Sequence, residues 1–213
     1  MFNGKNLDGW SVKCTHQDSS KHYWYVEDEC IVANSMGDST HDYIWLQYDK
    51  VLSDFQIRFK FQSERSNTGN SGVQVRSRYD EEEQWLNGPQ VDIHPLGPWR
   101  TGMMWDETRG YQRWIFPDLP KEEWVQPEMA LNAAPFYYSG DPVAWNEMEI
   151  LVQDNTIKSW LNDVLITDFN GSGILDDSLH IAKGVGKEGY ILLQIHYHDQ
   201  LVIKFKDLEL KVL

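Results

Sequence analysis

The stretch Phe55–Gln62 reads FQIRFKFQ, and its strict period of two is the strongest constraint on the fold. In an extended chain Phe55, Ile57, Phe59 and Phe61 share one face, and Gln56, Arg58, Lys60 and Gln62 share the other. The same alternation recurs in SGVQVRSR, QVDIH, NEMEILVQ, TIKSWLND, YILLQIHYH and LVIKFKDLELKVL. Gly, Asn, Asp and Pro bound these runs, and helical periodicity is scarce. Only DSLHIAK predicts a turn of helix, and LND reads as a hairpin tip. About a dozen short strands in one chain of this length predict an all-β sandwich of two antiparallel sheets. No composition shift or repeat divides the chain, so residues 1–213 are expected to form a single domain. The segment around 110–142 is different. It is aromatic and Pro-containing, which predicts a long ordered loop excursion rather than a helix.

Parity sorts the polar residues. Gln74, Arg76 and Arg78 oppose Val73 and Val75, and Gln90, Asp92 and His94 oppose Val91 and Ile93. Gln194, His196 and His198 oppose Ile191, Leu193 and Ile195. Such faces carry planar groups with defined donors and acceptors, where an ordinary solvent face carries Lys, Glu and Thr. If the three strands share a sheet, they form a polar floor suited to sugar hydroxyls. Glu107 and Arg109 follow the expected strand TGMMWDE, which also carries Trp105. An acid, a titratable base and a cation on neighbouring strands point to a site more than to surface decoration.

Composition narrows the ligand. Lys and Arg number 19 against 33 Asp and Glu, a formal charge of −14. No basic excess exists to displace counterions from a phosphate backbone, which argues against nucleic acid and equally against an anionic membrane surface. No apolar run approaches a membrane span. Ten Trp, ten Tyr and eight Phe supply many flat surfaces for the CH face of a sugar, although sandwich cores use aromatics too. The two cysteines, Cys14 and Cys30, cannot make a zinc site. They either bridge, which implies an oxidising compartment, or remain buried thiols. The opening MFNGKNLDGW has turn chemistry in place of an apolar leader. That predicts a cytoplasmic protein unless a leader preceded this segment.

Seven segments together resemble the 3-keto-disaccharide hydrolase domain family. They are FNGKNLDGW (Phe2–Trp10), NSGVQVRS (Asn70–Ser77), GPQVDIH (Gly88–His94), TGMMWDETRG (Thr101–Gly110), WNEMEI (Trp145–Ile150), SWLNDVLITD (Ser159–Asp168) and GYILLQIH (Gly189–His196). They occur in the family's order and span nearly the whole chain. Cys30 and Asp163 stand where the family usually has Gly, FKDL replaces F-R-N-I, and Tyr197 replaces the Gly after the L-Q-x-H histidine.

The resemblance implies a concanavalin A-like jelly roll with a concave sheet, and action on glycosides oxidised to a ketone at carbon 3. It also makes a periplasmic or secreted location plausible. Such a ketone acidifies the hydrogen on carbon 2. Its removal gives an enolate that expels the aglycone from carbon 1, and water then adds back. The chemistry needs a base, a partner for the enolate oxygen and an acid for the leaving group. The expected roles are His196 or Asp92 as base, Arg76 as enolate partner and Glu107 as acid. Gln90, His94, Arg78, Trp105, Arg109, Gln194 and His198 are expected to bind substrate. No cofactor is expected; a divalent metal held by Asp92 with His94 or His196 is the less favoured option. Two alternatives stand beside this reading. One is an ordinary glycosidase using Asp92 and Glu107 on an unoxidised sugar. The other is a carbohydrate-binding module without catalysis.

Overall fold

A computed structural model describes all 213 residues. Its strands are β1 (Trp10–Cys14), β2 (Trp24–Glu27), β3 (Cys30–Asn34), β4 (Ile44–Tyr48), β5 (Phe55–Ser63), β6 (Ser71–Asp80), β7 (Trp85–Asn87) and β8 (Pro89–Ile93). They continue with β9 (Met104–Asp106), β10 (Arg113–Phe116), β11 (Asn146–Gln153), β12 (Thr156–Leu161), β13 (Val164–Asn170), β14 (Tyr190–Ile195) and β15 (Val202–Val212). The one α-helix, α1 (Ser178–Ala182), falls on the DSLHIAK segment.

One sheet runs β1-β4-β14-β6-β8-β9-β10, with β7 paired to β6, and the other runs β13-β12-β11-β5-β15-β3-β2. Pairing is antiparallel throughout both. The chain is an all-β jelly-roll sandwich.

Alternation explains the packing. Phe55, Ile57, Phe59 and Phe61 of β5 are fully buried, as are Met148, Ile150 and Val152 of β11 beside them. They meet Val73, Val75, Val91, Ile93, Ile191 and Leu193 of the opposite sheet in one core. Each such side chain contributes about 2 kcal/mol relative to leaving it exposed. Two hairpins turn on two residues with positive φ, Asp28–Glu29 (50° and 58°) and Asn162–Asp163 (47° and 67°). Two-residue primed turns require that conformation, and Asp and Asn tolerate it. Asp163 therefore serves where Gly was expected.

Three expectations need correction. The first concerns β6. Tyr190 pairs with Ser77 but Leu192 pairs with Gln74, so β6 carries one extra residue between the two pairs. Arg76 sits in that bulge at φ 48°. A bulge re-aims the side chains that follow it. The Arg76 guanidinium turns to the end of the sandwich, donating to Ser53 O at 2.6 Å and to the Asp54 carboxylate at 2.5 Å. Beyond the bulge, Arg78 pairs with Glu188 at 3.1 Å.

The second concerns β14, which ends at Ile195. His198 thus lies in the following turn at φ 60°, exposed, and not on a strand face. The third concerns the excursion. Its early part forms β10, the edge strand of the first sheet, and only the remainder is irregular apart from a 3-10 turn at Pro127–Met129.

Candidate functional site

A cleft of about 620 Å³ lies on the outer face of the first sheet, over β8, β9 and β10 and the loops that enter β4 and β6 and leave β14. Two glycines shape it. Gly72 of β6 faces Asp92 of β8, and a Cβ there would sit 2.4 Å from Gln90 Cδ. The missing side chain lets Gln90 lie across β6. A Cβ on Gly69 would sit 2.1 Å from Asp199 Cβ, so the absence of one there lets the 196–199 turn close down on the β6 entry.

Gln90 accepts from Gln74 Nε2 at 2.8 Å and directs its own Nε2 toward Asp92 Oδ1 at 3.4 Å. Asn70 Nδ2 approaches the same oxygen at 3.4 Å. The other oxygen of Asp92 accepts from Arg100 Nε at 2.8 Å. Asp92 is 1% exposed, and a carboxylate so buried requires this pairing. Arg100 comes from the short turn Pro98–Arg100, and its guanidinium lies 5.4 Å from the Trp114 ring centre. It brings a fixed positive charge to the cleft.

His196 follows β14 directly. Its Nδ1 is 2.9 Å from Asp199 Oδ2, in poor alignment for a hydrogen bond. Asp199 Oδ2 also accepts the Asn70 backbone N–H at 2.9 Å, which holds the carboxylate in place. A carboxylate beside Nδ1 favours the tautomer that leaves Nε2 free to accept a proton. His94 lines the cleft as well. Burial pushes its pKa down, so it is neutral at pH 7, and its Nδ1 is buried without a partner.

Glu107 is 2% exposed, and its Oε1 has no hydrogen-bond partner. Burial pushes its pKa up to about 8, and the neighbouring Asp106 adds to the shift. The nearby polar groups of Gln112, Trp105 and Gln194 oppose it without cancelling it. The shift favours the protonated carboxylic acid at neutral pH, the form suited to giving up a proton in the cleft that Glu107 lines.

Aromatic rings close the cleft at both ends. At one, Tyr43 packs edge-on against His196 at 4.9 Å and against Trp85 at 5.2 Å, with Tyr197 at 5.1 Å. At the other, Trp105 and Trp124 stack at 5.4 Å with 15° between their planes.

Of the residues expected from sequence, Asp92, Glu107, His196, Gln90, His94 and Trp105 line this one cleft. Gln194 lies beneath it. It is fully buried, its amide close to Glu107, with neither amide atom hydrogen-bonded. Arg76, Arg78 and His198 are outside it for the reasons given above. Arg109 is outside too: its guanidinium covers the back of Trp85 at 4.5 Å and approaches Glu83 at 3.9 Å.

Sequence reasoning missed Arg100, Asp199, Asn70, Tyr43 and Trp124, all on turns or loops where alternation gives no signal. Asn70 was within reach, because it opens the NSGVQVRS segment. Cys14 and Cys30 are free thiols and lie in different sheets. No three His, Cys, Asp or Glu side chains are grouped to hold a metal ion.

Among solved structures, a candidate glycosyl hydrolase from Parabacteroides distasonis ATCC 8503 is 20% identical, with a TM-score of 0.60 over 100% of this chain and 92% of that one. The carbohydrate-binding module CBM66 from Bacillus subtilis is 15% identical, with a TM-score of 0.56 over 99% and 98%. Alginate lyase A1-II′ is 10% identical, with a TM-score of 0.56 over 97% and 96%. These likenesses concern the fold. No curated protein matches the chain. The model of one family matches residues 1–211, so the chain belongs to the family of 3-keto-alpha-glucoside-1,2-lyase-like domains.

Proposed function

We propose that this protein cleaves 3-keto-glycosides by removing the proton on carbon 2 and eliminating the aglycone. The observation that carries the reading is Glu107, a buried carboxyl whose Oε1 has no partner and whose pKa is pushed up to about 8, in a cleft that also holds a His–Asp pair and a fixed cation.

We assign the roles on that basis. His196 Nε2, with Asp199 behind the ring, takes the proton from carbon 2. The electron pair left behind delocalises onto the ketone oxygen. Arg100, the cation of the cleft, replaces Arg76 as the partner of that oxygen. The enolate electrons then form the C1–C2 double bond as the C1–O bond breaks. Glu107 gives its proton to the departing oxygen. Water adding to carbon 1 of the unsaturated sugar would complete a net hydrolysis.

The two-carboxylate glycosidase fits less well. Asp92 is committed to Arg100 through one oxygen, and the amides of Asn70 and Gln90 crowd the other, so it is not a free nucleophile or base. A binding module would make equal use of the aromatic ends but would have no need of a protonated Glu107.

The test is turnover, read by mass spectrometry, of a 3-keto-α-glucoside and the matching unoxidised α-glucoside. Release of the aglycone from the keto form alone, abolished in Glu107→Gln, is expected. Release from the plain glucoside would overturn the elimination route. Saturable binding without product from either would leave a binding module.

A further inference from the structure

The backbone around Glu107 is held from three sides. Its N–H donates to Gly88 O at 3.0 Å, and its carbonyl accepts from Trp85 Nε1 at 2.9 Å. The Asp106 carboxylate closes the turn, because its Oδ1 accepts the Thr108 backbone N–H at 3.0 Å. The other Asp106 oxygen lies 2.8 Å from His180 Nε2, and Asp177 Oδ1 lies 2.9 Å from His180 Nδ1. Asp106 and His180 are each 1% exposed. Both ring nitrogens thus face carboxylate oxygens, which only accept. A ring that makes both bonds carries both protons, and an imidazolium between two carboxylates is the paired state that burial demands.

Asp177 also caps α1, where the same Oδ1 accepts the backbone N–H groups of Leu179 and His180 at 2.9 Å each. Tyr111 covers the imidazole, stacked at 4.7 Å with 12° between the planes. The cations at the end of α1 and the start of β10, Lys183 and Arg113, pair with Glu83 and Asp118. Burial is the larger cause of the raised Glu107 pKa, and the Asp106 charge adds to it. Tyr43, the other titratable neighbour of Glu107, stays neutral because burial raises its pKa. We infer that Asp106, His180 and Asp177 form a positioning relay for Glu107, by which the one α-helix clamps the turn of the cleft acid and sets the charge beside it. The inference deepens the function proposed above and rests on it for the role of that acid. While the imidazolium is present it offsets part of the Asp106 charge. Without it Asp106 is uncompensated, and Glu107 keeps its proton to higher pH. Removing the Asp106 charge does the reverse.

The experiment titrates the Glu107 carboxyl by carbon-13 NMR in protein labelled at the glutamate δ carbons, its signal being the one missing in Glu107→Gln. The midpoint is expected to fall by about one pH unit in Asp106→Asn and to rise by about one in His180→Gln. Loosening of the structure alone would expose Glu107 and lower the midpoint in both variants. The sign in His180→Gln therefore decides: a rise supports the relay, and a fall or no change overturns it. No fall in Asp106→Asn overturns it as well. Asp177→Asn keeps a residue able to cap α1 and removes only the charge that supports the imidazolium. It decides if His180→Gln does not fold, with a smaller rise expected and the same contrary results.

In each variant the alkaline limb of kcat/KM on a 3-keto-glucoside should move with the midpoint. A midpoint that moves as expected while the limb stays fixed supports the relay and overturns the role given to Glu107. If wild type turns over no 3-keto-glucoside, the proposed function fails on its own, and the titration still decides the relay.

Discussion

Arg100 Nε donates to Asp92 Oδ2 at 2.8 Å, joining the loop after β8 to the strand it leaves. The pair fixes the cleft's cation at a point where the alternation of β8 has already ended. Arg76, the arginine that parity favoured, instead ties the Asp54 carboxylate and two loop carbonyls at the end of the sandwich.

Both arginines are therefore expected to carry stability, since Arg100→Ala also strands the buried Asp92 carboxylate, but only Arg100 to carry function. Arg100→Ala should lower kcat on a 3-keto-glucoside by about 10²–10³-fold. Arg76→Ala removes a buried guanidinium and strands its partners, which should cost about 3 kcal/mol. Its kcat at low temperature should stay within about two-fold of wild type. Steady-state kinetics and thermal melts on both variants check the pair.

Glu107 makes a pH prediction with a definite sign. Its folded pKa is raised from 4.5 to about 8, so the folded state holds a proton that the unfolded state releases. Its stabilising contribution is complete below pH 4.5 and is lost as pH rises toward 8. Glu107→Gln should flatten that fall and raise stability at pH 8 relative to pH 4 by about 2 kcal/mol, on the order of 5 °C in Tm. The same substitution should lower kcat by about 10²–10⁴-fold. In wild type, kcat/KM should decline above pH 8 as the acid loses its proton.

His180 makes a second prediction away from the cleft. Burial alone would lower its pKa, yet Asp106 at 2.8 Å on Nε2 and Asp177 at 2.9 Å on Nδ1 raise it. Its contribution is present in full below pH 6.5 and is lost as pH rises through the higher folded value. His180→Ala leaves the buried Asp106 carboxylate without its partner and should cost about 3 kcal/mol, about 8 °C in Tm. Melts at pH 6 and pH 9 should show a larger loss at pH 6.

Asp199→Asn removes the charge that holds the His196 ring and should lower kcat about 10²-fold with little change in KM. His196→Ala should lose at least as much. Circular dichroism should show both variants folded, because both side chains lie at the cleft rim.

With Arg100 as the oxyanion partner, turnover should survive a chelator. Kinetics before and after EDTA, followed by divalent-metal addition, check this. Loss restored by the metal would place a metal beside Asp92 and a histidine.

Strand content was legible because β5, β8, β11 and β14 bury one parity and little else competes. Asp92, Gln90 and Trp105 could be placed on the cleft face by that parity. What parity cannot see is a bulge, and the single residue inserted at Arg76 cost two arginine assignments. Nor does it reach turns: Arg100 follows PLGPW, Asp199 follows the end of β14, and Trp124 stands in the excursion. Their positions depend on contacts between segments distant in sequence, such as Asp199 over Gly69. Glu107 could be named from its segment, but its protonation follows from burial that only the folded chain displays.

The most direct test of the central claim uses a 3-keto-α-glucoside carrying deuterium on carbon 2. Elimination breaks that C–D bond in every turnover, so the sugar product should lose the label while unreacted substrate and an enzyme-free control retain it. Product that keeps the deuterium would mean that the glycosidic bond is cleaved without proton abstraction, and would contradict the role given to His196.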